Sequence, residues 1–159
     1  MKPGSVLGGL ALVLVAVNGL VAHKERVLAS GQEVLMPLAP VDPRSLIQGD
    51  YMRLRYNLGS IHDLEHDGHV VLRLDPDRVA HADRVHRPGE PLGPGEQLIR
   101  ARYRQGQVQL GAEAFHFQEG QAAIYEKATY GELRVTPAGD SVLVGLRDRD
   151  RQPLGPRRP

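Results

Sequence analysis

Two sets of side chains have types that hydrolysis could use, and one of them also has the spacing. His62-Asp63-Leu64-Glu65-His66 has the H-x-x-E-H spacing, with His69 close behind. On a stable helix that spacing puts two imidazoles one turn apart on a single face, where they can hold zinc while the glutamate acts as base. Such a site also needs a distant third ligand and an open metal position. The second set is Ser45 with Lys127, a nucleophile and an amine that serves as base only when desolvation lowers its pKa.

The surrounding sequence works against both sets. Only a short stretch separates Gly59 from Gly68, and His66-Asp67-Gly68 reads as a turn between strands, so the histidines are expected in a polar loop. A short helix capped by Ser60 with Asp63 is the competing reading. Lys127 lies among helix-compatible residues with no partner pattern for a base. The expectation is therefore no catalytic constellation and no cofactor, with His62 and His66 capable at most of adventitious divalent-metal binding.

The elements that carry these residues belong to one small domain. Of 159 residues, about 120 remain for a core once the apolar N-terminal segment is set aside. A net charge of +1 and an aromatic share of 4% give neither the electrostatics nor the stacking surface that nucleic acid requires. With no cysteine, disulfides, thiolate catalysis and zinc-thiolate sites are excluded.

Val6 to Ala22 is uncharged and almost wholly apolar. As a helix it would reach about 25 Å, slightly short of a ~30 Å hydrocarbon core, so Lys2 and Lys24 would snorkel. It is long for the h-region of a cleavable signal. Cleavage after Val27-Leu28-Ala29, before Ser30, is the alternative, with His23-Lys24-Glu25-Arg26 unfavourable for processing. The expected organisation is an anchor or signal segment over 1–24, a β-rich domain over 25–147 and a flexible Arg- and Pro-containing tail over 148–159.

Past the anchor, short runs alternate with turn residues. Val34-Leu35-Met36 reads as a strand stopped by Pro37, Pro40 and Pro43. Asp50 to Asn57 follows, with Tyr51, Arg53 and Arg55 on one face and Met52, Leu54 and Tyr56 on the core face. Gly68 to Leu74 places Val70, Leu72 and Leu74 inward and His69, Val71 and Arg73 outward. Arg78 to Arg87 is weakly patterned, and Pro88 to Gly95 is a turn-rich loop. Strands resume at Gln97 to Tyr103 and Val108 to Phe117 across Gln105-Gly106. Gln121 to Thr129 fits one short helix, with a strand as runner-up. Gly131 to Thr136 and Ser141 to Leu146 close as a hairpin. The fold class that follows is mainly β, a β-rich α+β domain built as a small sandwich or partly open barrel with one short helix, behind an N-terminal transmembrane helix.

Gly49-Asp50-Tyr51-Met52-Arg53-Leu54-Arg55-Tyr56, preceded by Pro40 to Gln48, resembles the signature of the bacterial GDYXXLXY family at Gly49, Asp50, Tyr51, Leu54 and Tyr56. A second block, Gly111 to Gly120 followed by Ile124-Tyr125-Glu126, is similar to that family's later segments. The resemblance covers most of the soluble part. It implies a small extracytoplasmic domain behind one membrane segment and supplies no reaction. Encoding near membrane proteins, common in the family, implies a multi-pass membrane protein as partner. A membrane-tethered strand opening Gly-Asp is also distantly similar to the signal-peptidase fold, where Ser45 and Lys127 would be the pair; no Ser-Met follows the anchor.

Read physically, Gly49 permits a tight backbone before the strand, and Asp50 can accept backbone amides or pair with Arg44. Those roles set sheet register. The alternative is a recognition surface near the membrane from Asp42, Arg44, Asp50 and Tyr51 with Arg53, Arg55 and Glu119, which Glu113 and Glu126 could join. Two functions stand. One is a non-catalytic accessory or binding subunit of a membrane protein complex, on the inner membrane with its domain facing the periplasm or cell exterior. The other is a cell-envelope hydrolase, zinc-dependent or of the Ser/Lys type.

Overall fold

The structure, a computed structural model, describes residues 3–39, 47–48, 51–59, 61, 64–104, 107–111 and 113–156. Helix α1 spans Pro3–Ser30 and leaves Leu7, Leu12 and Val15 exposed along its length. It is long and apolar enough to cross a membrane, and none of its most apolar stretch is buried. Its last turn is different. Val27 is buried at 2% exposure, and the Gly31 N–H donates to the Val27 carbonyl at 2.8 Å. A Cβ at Gly31 would stand 2.5 Å from that carbonyl oxygen and 2.9 Å from the Val135 nitrogen, so only glycine lets the helix end meet the sheet this closely. The helix therefore runs six residues past the expected anchor boundary at 24, directly into the first strand.

Strands β1 (Gln32–Pro37), β2 (Ile47–Gln48), β3 (Tyr51–Arg53), β4 (Gly68–Leu74), β5 (Ala80–Val85), β6 (Glu96–Arg104), β7 (Gln107–Leu110), β8 (Ala114–His116), β9 (Tyr130–Val135), β10 (Ser141–Arg147) and β11 (Pro153–Leu154) form three sheets. Their orders are β1-β9-β10-β11, β5-β4-β6-β7 and β2-β3-β8, and every pairing is antiparallel. The two larger sheets curl as half-barrels, joined where the Leu35 N–H donates to the Arg78 carbonyl at 2.9 Å. The chain is thus strand-rich, as the alternation of short apolar runs and turn residues requires.

The main core lies between the two larger sheets. Val34 and Met36 of β1 and Leu133 and Val135 of β9 meet Val70 and Leu72 of β4, Ile99 and Ala101 of β6 and Leu110 of β7. A second cluster joins Met52, Leu54, Phe115, Phe117 and Leu146 to Tyr125 of the one-turn helix α2 (Ala122–Tyr125). Tyr125 packs against Phe115 and Phe117 with ring centroids 5.0 and 5.1 Å away. Gln97 is a buried polar residue with its hydrogen bonds made: Nε2 donates to the Leu98 and Thr136 carbonyls and Oε1 accepts from Gln32.

Several expectations are corrected. Val71 is fully buried, because β4 is the strand between β5 and β6 and is covered on both faces at that point. The weakly patterned stretch after Arg78 contains β5, an edge strand whose polar outer residues mask its period. Val108 to Phe117 is two strands in different sheets, broken at Gly111 with φ +25°. The helix is four residues long and ends well before Thr129. Beyond Arg147, β11 pairs with β10, Arg147 Nη1 donates to the Arg151 carbonyl, and Arg151 pairs with Asp77 at 3.4 Å.

Candidate functional site

The second half of the octet passes from one sheet to another. Tyr51–Arg53 pairs with β8, and the Leu54 N–H donates to the Glu113 carbonyl at 2.8 Å. The chain then turns to the end of β1, where the Ala39 N–H donates to the Arg55 carbonyl at 2.7 Å and the Asn57 N–H donates to the Pro37 carbonyl at 2.8 Å. Period-two alternation survives the crossing. Met52 and Leu54 are buried while Arg53 and Arg55 are exposed. These two arginines, Tyr56, Glu113 and the edge residues Gln107 and Gln109 of β7 line a cleft of about 440 Å³.

Tyr56 is the hinge between interior and cleft. It packs against both hydrophobic clusters and also lines the opening. Burial first, and the Glu113 carboxylate second, push its phenol well above the ordinary value, so it stays a protonated hydroxyl. The cleft presents groups suited to recognition. It offers two guanidinium groups that match a carboxylate in bidentate geometry, one opposing carboxylate and neutral amides.

Of the residues singled out from sequence, Arg53 and Arg55 are brought together in this cleft, and Glu113 joins them from the second block. Tyr51 lies beside it in β3, its ring 5.7 Å from the His116 ring. Glu119 is exposed in the turn before α2 and does not line the cleft. Asp42, Arg44, Ser45, Gly49, Asp50 and His62 lie outside the described residues. Leu64 to Asp67 is not helical, and Leu64 is buried at 4% in the main core while His66 is exposed. Among the described residues no three His, Cys, Asp or Glu side chains are grouped to hold a metal ion. Lys127 is exposed, without the desolvation a lysine base needs.

These positions coincide with what the family comparison matches. The model of the GDYXXLXY protein family covers residues 13–146, from within α1 to the end of β10. The chain belongs to the GDYXXLXY family. A stretch of 87 residues is also 35% identical to the alpha-1,4-glucan:maltose-1-phosphate maltosyltransferase of Salinibacter ruber (strain DSM 13855 / M31), covering 46% of this chain and 12% of that enzyme. The chain thus spans a small fraction of that relative. No solved structure matches it.

Two charged groupings in this GDYXXLXY domain were not read from the sequence. Arg84 of β5 donates to Glu90 at 2.8 Å, to Glu96 at 2.7 and 3.1 Å and to Asp83 at 2.9 Å. This clamp ties the Pro- and Gly-rich loop to the sheet. The Arg84 hydrogen bond first, and the Gly93 N–H second, hold the Glu96 carboxyl down to about 2. On the first sheet, Arg147 donates to Glu132 at 2.8 Å and lies 3.5 Å from Glu33, which keeps its guanidinium charged in a half-buried place. The only hint of either in the sequence was a local excess of opposite charges, which does not say which residues pair across a sheet.

Proposed function

We propose that α1 anchors the chain in the inner membrane as a single span, with the β-rich domain outside the cytoplasm. There the domain serves as a non-catalytic accessory or binding subunit of a multi-pass membrane protein. The cleft carries this reading: two exposed arginines on a register-locked signature segment converge with Glu113 beside the outer edge of β7, which pairs with no strand among the described residues. An extended loop bearing carboxylates suits that arrangement, pairing its backbone with the strand edge and its acidic side chains with Arg53 and Arg55.

The test is capture of a membrane partner from detergent extracts by the full-length anchored chain. Arg53→Ala and Arg55→Ala are exposed substitutions and should change stability by less than ~0.5 kcal/mol. Capture should fall clearly in both. Unchanged capture by the double variant would remove the cleft from the interface. A mature chain starting at Ser30, by intact mass, would show a cleaved signal in place of the anchor.

A further inference from the structure

A second opening lies where the helix meets the domain. Lys24 of α1, Gly111 and His116 on either side of the β7–β8 bend, and Ser141 at the start of β10 line a notch of about 220 Å³. Gly111 is what leaves it open: a Cβ there would stand 2.8 Å from Ser141 Oγ. His116 continues from the notch to the signature through its ring contact with Tyr51.

The depth of this notch follows from the helix. The charged band begins at His23, and only Val27 to Gly31 separate it from β1. A span needs about 20 residues to cross ~30 Å of hydrocarbon, and the uncharged run is slightly shorter, so the charged band is drawn down to the bilayer surface. The β9–β10 turn reaches the same level. Asp140 lies 4.0 Å from His23 and 3.3 Å from Arg100, and the Arg100 N–H donates to the Gly139 carbonyl at 2.8 Å. The notch next to that turn therefore opens within the headgroup layer, which is only ~5–7 Å thick on each side.

On the anchoring reading above, we propose that this notch seats the phosphate of an anionic phospholipid headgroup. Lys24 supplies the charge and Ser141 a hydroxyl donor. Asp140, the acidic neighbour, is occupied by Arg100, and Glu25 does not line the notch. Its volume suits a phosphodiester with part of its glycerol, and its place at the bilayer surface selects a lipid over a soluble anion.

The full-length chain in nanodiscs of mixed phosphatidylglycerol and phosphatidylcholine provides the test, read as lipids retained in native mass spectrometry after gentle release. One lysine near an anionic surface favours anionic lipid by on the order of fivefold. That enrichment is expected for the wild type and for Lys127→Ala, which removes an exposed lysine outside the notch. Lys24→Ala should lose most of it, and Ser141→Val part of it, with melting curves confirming that both fold. Equal retention of the two lipids by the wild type overturns the proposal, as does enrichment that survives Lys24→Ala. Competition by millimolar inorganic phosphate would point to a soluble anion and overturn the lipid source. Failure to float with the nanodiscs would instead defeat the anchoring reading and this inference with it.

Discussion

Tyr56 lies directly on the backbone of Gly131: a Cβ at Gly131 would stand 3.0 Å from Cε1 of the tyrosine and 3.6 Å from its hydroxyl oxygen. The last residue of the signature thus presses on β9, an inner strand of the sheet that the signature reaches through Leu38, at a place where no side chain intervenes. That contact explains why an aromatic ring fits there, since it fills the junction between two hydrophobic clusters that, among the described residues, otherwise share only Leu143.

Gly131→Ala should therefore displace the Tyr56 ring and cost about 1–3 kcal/mol, the usual range for overpacking. Chemical denaturation of the wild type and variant measures it. An unchanged midpoint would mean that the ring yields freely and does not lock the sheets.

Gly139 and Gly59 make a matched pair for separating backbone strain from crowding. Both have positive φ, +89° and +57°, but a Cβ at Gly139 would meet His69 at 3.0 Å and the Arg100 nitrogen at 3.1 Å, whereas Gly59 has nothing within 4 Å. Gly59→Ala should cost roughly 1 kcal/mol, from strain alone. Gly139→Ala should cost distinctly more, because the β9–β10 turn must also lift from β6. Equal melting temperatures for the two variants would contradict the packing of that turn.

The H-x-x-E-H stretch offers a direct contrast between core and metal roles. Leu64→Ala should destabilise by about 2–5 kcal/mol, as for other buried leucines. His66→Ala, at an exposed position, should fall within ~0.5 kcal/mol. Calorimetry with and without a chelator reads both; a chelator-dependent loss in the wild type would restore the metal reading.

Acid should find the Arg84 clamp. Glu96 has its pKa lowered from the ordinary 4.5 to about 2 by Arg84 and the Gly93 N–H, so its contribution is complete above 4.5 and drains away as pH falls toward 2. Glu90 is shifted in the same direction, first by Arg84. Stability of the wild type should decline across that window, and Glu96→Gln should flatten the decline. A Gln variant with the wild-type slope would show that the clamp does not bind protons differently on folding.

Much of this architecture was legible where local chemistry and tertiary position agree. Gly68 to Leu74 matches β4 at both ends, and the hairpin expected from Gly131 to Thr136 and Ser141 to Leu146 is β9 and β10. Legibility failed where burial comes from distant chain. Nothing in the neighbourhood of Val71 announces that both faces of β4 are covered, and the Ala80-His81-Ala82-Asp83-Arg84-Val85 stretch shows only a weak pattern because an edge strand tolerates polar residues that pair with the next element. The same holds for the site. Period two marked Arg53 and Arg55 as outward, but that β7 and Glu113 come round to form the other wall depends on a pairing some sixty residues away.

The join at Gly31 has a mechanical consequence. With no slack between helix and sheet, the domain of a chain anchored as proposed would behave as the head of a lever whose shaft lies in lipid. Spans commonly lean by about 20° and change their lean with bilayer thickness. In a thinner or thicker membrane the whole head would swing with the shaft, so the height and heading of the arginine-lined cleft become a readout of the bilayer beneath it.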